Sequence, residues 1–326
     1  MNKVTILGCG RWASFHAWYQ VEQLHNQVLM WGRAGDPVFE QIAKTGKNAY
    51  IEMPKSINYT ADLRQALAFA ETIMIVITAQ AMREFAVKIK EHHPKNKVFI
   101  LCMKGIDQNT GECLSQIMRK NIDASNKICV WVGPGHVQEL TSGQPNMMII
   151  AGDDAATVQK MVKRLQSPLI TLLYSNDLVG VEISAAAKNV MGIAAGFLDG
   201  LGMSSLKGVL MARGCYEVSR LIEKMGGKRM TAFGMSHLGD FEATLFSKNS
   251  HNRRYGEEFI KGALSDNIGT AEGVATTQAM YDLAQKLGVF MPIVTTVYSV
   301  LYQNADRKSV VDGLLKLQSR QEFDYE

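Results

Sequence analysis

A chain of 326 residues with 47% hydrophobic residues is long enough for two domains, each with a core of its own. A formal net charge of +4 is small for that length, and no long basic block stands out, which argues against nucleic-acid binding. Cys9, Cys102, Cys113, Cys129 and Cys215 are odd in number and form no Cys-x-x-Cys pair, which argues against a disulfide framework and a zinc site. No other His, Cys or carboxylate cluster has ligand spacing, so no metal is expected.

The N-terminus enters a strand-like run, Lys3 to Leu7, without a signal-peptide pattern. Gly8-Cys-Gly-Arg-Trp-Ala13 follows that strand and opens an amphipathic helix, which fits a dinucleotide fingerprint of the form Gly-x-Gly-x-x-Ala. Gly8 permits the tight turn, Gly10 lets the backbone approach a pyrophosphate at the helix N-terminus, and Ala13 is small enough for helix–strand packing. A second strand spans Gln27 to Trp31 and runs into Gly32-Arg33-Ala34-Gly35-Asp36. Arg33 suits the 2′-phosphate of NADP, while Asp36 keeps NAD open; the cofactor expectation is therefore NADP and/or NAD.

Further strand-like runs cover Thr72 to Thr78, Lys97 to Met103, Lys127 to Val132 and Asn146 to Ala151, with helix-like segments between them. Lys104-Gly105 and Gly133-Pro-Gly135 stand at strand ends, where ligands bind in sheets of this kind. The fold class is α/β: a Rossmann-type N-terminal domain with a mostly parallel sheet over 1–178, followed by an all-α C-terminal domain over 179–326. In the second domain Met203 to Lys224 and Glu272 to Leu287 read as helices, with Gly226-Gly227 and Gly288 as stops and Pro292 opening another. No apolar stretch reads as long and charge-free enough to cross a bilayer, so the expectation is a soluble, cytoplasmic protein with no membrane span.

Lys188 lies near the start of that second domain, inside Glu182-Ile-Ser-Ala-Ala-Ala-Lys-Asn-Val-Met-Gly-Ile-Ala-Ala-Gly196. Its neighbours are small or apolar, so other backbone can pack close and the helix reads as buried almost all round. Burial lowers a lysine's pKa, which makes it usable as an acid-base group near neutral pH. The alternatives for Lys188 are a side chain that reaches water or closes a structural ion pair.

Together with Gly133-Pro-Gly-His136, Asp199-Gly-Leu-Gly202, Leu238-Gly-Asp240, Ser250-His-Asn-Arg-Arg-Tyr-Gly256, Ala271-Glu-Gly-Val274 and Leu287-Gly-Val-Phe-Met-Pro292, these features resemble the bacterial NAD(P)-dependent glycerol-3-phosphate dehydrogenase family. The resemblance runs from Lys3 to about Tyr302. It implies reduction of dihydroxyacetone phosphate to sn-glycerol 3-phosphate by reversible hydride transfer, feeding glycerophospholipid synthesis. It implies Lys188 as the acid-base residue, Lys104 as a group touching substrate and cofactor, and Asp240 as a substrate contact that stabilises both cations. It also implies substrate contacts at Gly133, Gly135, Ser250, His251 and Asn252. Cofactor contacts are implied at Gly8, Gly10, Arg11, Trp12, Ala13, Arg33, Lys104, Val137, His251 and Glu272. The segment from Ser250 to Arg254 offers hydroxyl, amide and guanidinium groups for a phosphate. The partner is a small phosphorylated molecule, and a homodimer is left open.

The chain departs from the family in four places. His251 stands where arginine is usual, and a histidine is only partly charged near neutral pH and makes no bidentate fork. Gly135 lacks a side chain that commonly adds a substrate contact, and Arg11 and Ala13 replace serine and glycine. These changes keep two other readings open: a reductase of a related phosphorylated or phosphonylated ketone, and a non-catalytic nucleotide-binding protein.

Overall fold

The structure, a computed structural model, describes residues 2–265, 271–306, 309–310 and 322, so part of the expected 179–326 domain lies outside the described residues. The chain divides into two compact units, Met1–Met103 with Leu114–Leu178, and Lys104–Cys113 with Val179–Glu326.

The first unit holds an eight-stranded sheet made of β1 (Lys3–Leu7), β2 (Gln27–Trp31), β3 (Asn58–Thr60), β4 (Thr72–Ile75), β5 (Val98–Leu101), β6 (Lys127–Val132), β7 (Asn146–Gly152) and β8 (Ile170–Ser175). The spatial order is β3-β2-β1-β4-β5-β6-β7-β8. All neighbours are parallel except β6 and β7. The central strands are apolar on both faces, as a parallel sheet covered by helices requires; β4 and β5 are buried at every position. The two edge strands carry no clear sequence signal. β3 is three residues long and includes an exposed Asn58, and β8 alternates buried and exposed positions from Ile170 to Leu173, with no buried residue after Leu172.

The helices of this unit are α1 (Arg11–Glu22), α2 (Pro37–Thr45), α3 (Leu63–Phe69), α4 (Met82–Lys90), α5 (Leu114–Arg119), α6 (Val137–Thr141) and α7 (Ala155–Leu165). Helix α2 shows how local chemistry sets their limits. The Asp36 carboxylate accepts the N–H groups of Val38 and Phe39, Pro37 takes the first turn, and Gly46 closes the helix at φ +68°.

The second unit is built from α8 (Leu178–Gly200), α9 (Lys207–Lys224), α10 (His251–Lys261), α11 (Glu272–Leu287) and α12 (Pro292–Tyr302), with short 3₁₀ turns and a π-helical turn over Glu242–Phe246. Ala186, Ala187, Val190, Ile193 and Phe197 of α8 lie in its core together with Ile106 and Cys113, which pair across an antiparallel bridge. The bridge closes the short Lys104–Cys113 segment on itself, and the packing of Ile106 and Cys113 in this core makes it part of the helical unit. Contrary to expectation, α8 is long and apolar enough to cross a membrane, yet the apolar window that passes this test is 94% buried inside the protein, which is the behaviour of a core helix. Buried Glu217 on α9 accepts the N–H groups of Ile293 and Val294, each at 2.9 Å, and so caps the start of α12.

Glycines let α8 meet α10 backbone to backbone. A Cβ added at Gly196 would lie 2.0 Å from the Arg253 carbonyl oxygen, and one at Gly256 would lie 2.2 Å from the Ile193 oxygen. Gly196→Ala is therefore expected to destabilise the protein by about 3 kcal/mol, through overpacking that backbone on both sides resists. The denaturant midpoint checks this: a midpoint within error of the parent would mean that the helices can part at no cost.

Candidate active site

Lys188 sits midway along α8, and Asp240 ends the 3₁₀ turn Leu238–Asp240, which the adjoining Glu242–Phe246 turn continues. The Lys188 Nζ lies 2.9 Å from Asp240 Oδ2, and Lys104 Nζ lies 2.7 Å from the same oxygen. The carboxylate is 1% exposed, against 11% for the Lys188 side chain and 17% for that of Lys104. One nearly dry carboxylate thus faces two ammonium groups, and the three residues expected to carry the chemistry come together in one unit.

Two further residues complete the arrangement. Thr244 Oγ1 donates to the Asp240 carbonyl at 2.7 Å, so its only proton is committed and it meets Lys188 Nζ, at 2.9 Å, as an acceptor. Thr244 occupies the π-helical turn, a deviation that often marks functional sites. Asn189, next to Lys188, begins a relay of amides. Its Nδ2 donates to the Lys104 carbonyl at 3.1 Å, and its Oδ1 accepts from Asn252 Nδ2 at 3.0 Å. Asn252 Oδ1 in turn accepts the Gly273 N–H at 2.9 Å. The relay joins the Lys104 segment, α8, α10 and the start of α11. Neither Thr244 nor Asn189 stood out in the sequence; adjacency to Lys188, and the four-residue spacing from Asp240, were the only signals.

The lysine is electrostatically tuned. Burial pushes the Lys188 pKa down from 10.5 to about 8, the Asp240 carboxylate opposes that fall, and the Lys104 charge adds to it. Of its three N–H donors, Asp240 and Thr244 engage two. A buried ammonium poised near neutral pH beside a second cation can give a proton to a developing alkoxide and steady its charge.

At the start of α10, where a phosphate cradle is expected, His251 and Arg254 are exposed and one guanidinium is turned inward. Arg253 is buried, with Nη1 2.7 Å from Asp199 Oδ2 and 2.9 Å from Glu257 Oε2, and its Nε donates to the Ser247 carbonyl. Asp199 also binds Lys207 at 2.7 Å, so this guanidinium belongs to an internal ion network. Ser250 caps α10 by accepting the Arg253 N–H. Asn252 lies in the amide relay, His251 is exposed in the first turn, and Glu272 is exposed at the start of α11.

The remaining expected residues belong to the first unit. Gly8 has φ +132°, and a Cβ there would lie 2.1 Å from the Val76 oxygen, so this turn admits glycine alone. Among the described residues, beyond its chain neighbours, nothing lies within 4 Å of a Cβ built on exposed Gly10, which leaves that backbone open to a ligand. Gly10 begins α1 with no side-chain cap and no acidic residue in the first turn. Those uncapped N–H groups suit a pyrophosphate. Ala13 is fully buried, and Trp12 packs edge-on against Phe15. Arg11 bonds Gln138 on α6 and lies 5.4 Å from the Tyr50 ring centre. The Arg33 side chain is 75% exposed and 3.4 Å from Asp36. Gly133 and Gly135 have φ of +144° and +136°, and a Cβ on Gly133 would lie 2.8 Å from Met148 Cα, so backbone geometry already demands glycine at the first. Val137 begins α6 and is buried in the sheet unit's core.

Comparison with known proteins identifies the family of both halves of the chain. Residues 3–158 match the family described as NAD-dependent glycerol-3-phosphate dehydrogenase N-terminus, and 177–312 match its C-terminus. The glycerol-3-phosphate dehydrogenase [NAD(P)+] of Lysinibacillus sphaericus is 33% identical over 99% of both chains. That of Chlorobium phaeobacteroides is 30% identical over 99% of this chain and all of its own. In fold, the glycerol-3-phosphate dehydrogenase of Coxiella burnetii superposes with a TM-score of 0.89 at 24% identity, over 98% of this chain and 99% of that one. With both halves of the sequence matched in order and relatives aligned end to end, the chain belongs to the NAD-dependent glycerol-3-phosphate dehydrogenase family.

Proposed function

We propose that this protein reduces dihydroxyacetone phosphate to sn-glycerol 3-phosphate with a nicotinamide dinucleotide, Lys188 acting as the general acid. The observation that carries this reading is the sharing of one buried Asp240 oxygen by Lys188 and Lys104. The Gly8 turn and the open start of α1 would hold the cofactor, which when bound supplies the hydride. Lys188 gives a proton from Nζ to the oxygen of the reduced carbonyl, and Lys104 stabilises negative charge on that oxygen before the proton arrives. In the reverse direction neutral Lys188 takes the hydroxyl proton. Asp240 keeps both side chains in place and accepts from the substrate's terminal hydroxyl, and Asn252 contributes to the phosphate end.

The cofactor loop favours NADPH over NADH. Asp36 Oδ1 accepts the N–H groups at the start of α2 and Oδ2 faces Arg33, which weakens the carboxylate as a ribose acceptor, whereas the exposed Arg33 side chain suits a 2′-phosphate. Reduction as the working direction fits a supply of glycerol phosphate for phospholipid synthesis.

The test is purified protein with dihydroxyacetone phosphate and either NADPH or NADH, followed by loss of nicotinamide absorbance. Turnover with both, faster at low NADPH, is expected; no turnover with either, from folded protein, refutes the assignment.

A related phosphorylated or phosphonylated ketone is the second reading, favoured by the chemistry at the start of α10. His251 and Arg254 are exposed there, while Arg253 is turned inward to Asp199 and Glu257, so the usual arginine position is filled by an imidazole. Such a site offers a weaker, pH-dependent hold on a dianion. A substrate panel separates the two, and a clear preference for dihydroxyacetone phosphate removes this one.

A further inference from the structure

Asp240 can serve two lysines only if its turn is held at a fixed height along α8, and His237 supplies a tie for that turn. The imidazole is fully buried, with Nδ1 3.0 Å from the carbonyl oxygen of Ser184, one helical turn before Lys188. The His237 carbonyl accepts the Asp240 N–H at 3.0 Å, and the ring meets Phe241 edge-on with centres 4.5 Å apart. One residue therefore grips α8 through its side chain and Asp240 through its backbone. The charged groups facing the ring are Asp240 from its own turn and Lys188 from α8.

We propose that His237 is a positioning residue for the acid-base pair, its Nδ1–H bond to the Ser184 carbonyl holding the Asp240 carboxylate against Lys188. Two backbone acceptors face the ring, Ser184 on α8 and Gly214 on α9; the Ser184 carbonyl, 3.0 Å from Nδ1, is served only when the proton sits on Nδ1. Burial pushes the His237 pKa down to about 4, so the ring is neutral through the working pH range and places no competing cation beside Asp240. Loosening this tie lets the carboxylate retreat. Burial and Lys104 then act on Lys188 with less opposition, and its pKa falls.

The inference rests on Lys188 as the acid-base group, so its test reads Lys188 without substrate. The ¹³Cε shift of Lys188, assigned with Lys188→Arg, is followed against pH in the full-length protein and in three variants. His237→Asn keeps an N–H donor near the Nδ1 position. His237→Gln moves that donor outward by one carbon, and His237→Leu removes it. The Lys188 midpoint is expected near the parent's in His237→Asn and lower by about one pH unit in His237→Leu and His237→Gln. Where dihydroxyacetone phosphate is turned over, kcat should fall about tenfold in the same two variants with KM changed less. Equal midpoints in His237→Asn and His237→Gln overturn the proposal. The unsubstituted protein gives a check that needs no folded variant: long-range ¹H–¹⁵N correlation should show His237 neutral and protonated on Nδ1 at pH 7. An Nε2–H tautomer overturns the proposal as well. If the protein reduces no ketone, the Lys188 and His237 titrations still decide this point on their own.

Discussion

Lys188→Ala is expected to lower kcat for ketone reduction by about a thousandfold or more, while affinity for the cofactor stays near that of the parent. The general acid accounts for about 10²- to 10⁴-fold of such a rate, and the loss of its positive charge beside the forming alkoxide adds to the defect. Cofactor affinity is spared because the residues assigned to dinucleotide binding around Gly8 and Gly10 lie in the sheet unit, whereas Lys188 lies in the helical one. Lys188→Arg should be nearly as inactive. A guanidinium keeps the charge but holds its proton too tightly to give it up. Single-turnover rates with saturating cofactor make the comparison, and a Lys188→Ala protein within a few-fold of the parent removes Lys188 from the chemistry.

Asp240→Ala has the second large effect, on stability and on activity together. It leaves two largely buried ammonium groups without the oxygen that both now contact. Removing one partner of a buried ion pair costs about 3–5 kcal/mol when the other must stay charged. The sign of its pH dependence follows from the lysines. Without the carboxylate, burial and Lys104 both push the Lys188 pKa below about 8, so the stability loss is greatest at low pH, where Lys188 must carry charge, and shrinks as pH rises. Reduction also fails first at higher pH, since neutral Lys188 has no proton to give. Chemical denaturation at pH 6 and pH 9 checks the stability claim, and an equal loss at both values counts against it.

Much of this arrangement is legible in the sequence, for physical reasons that differ by residue. The Gly8 turn is legible because a strand, a φ that only glycine tolerates and a close-packed helix leave few other choices of residue. The buried state of Lys188 is legible because its helix consists of alanine, glycine and branched apolar residues, and the structure confirms that they let α10 approach. Thr244 is not, since its bond to Lys188 spans 56 positions and depends on a π-helical turn that has no sequence signature here. The orientation of Arg253 is hidden for a related reason. The segment from Ser250 to Arg254 offers two guanidinium groups, and Asp199, 54 positions from Arg253, draws that one inward. Composition reveals that such a group is charged; only the fold reveals where its partner lies. The edge strands β3 and β8 escape notice because half-exposed strands lack the continuous apolar run that marks the centre of a parallel sheet.

In the proposed reaction Lys188 moves the proton with a pKa that burial has brought down to about 8. The most direct measurement is the pH dependence of kcat/KM between pH 6 and 10, taken in both directions. The limb of interest reports the free enzyme's acid-base group. Reduction of dihydroxyacetone phosphate should decline as pH rises through about 8, and oxidation of sn-glycerol 3-phosphate should increase through the same value, because one needs charged Lys188 and the other needs it neutral. Profiles that are flat across this range, or that change in the same sense in both directions, would contradict the assignment of that proton to Lys188.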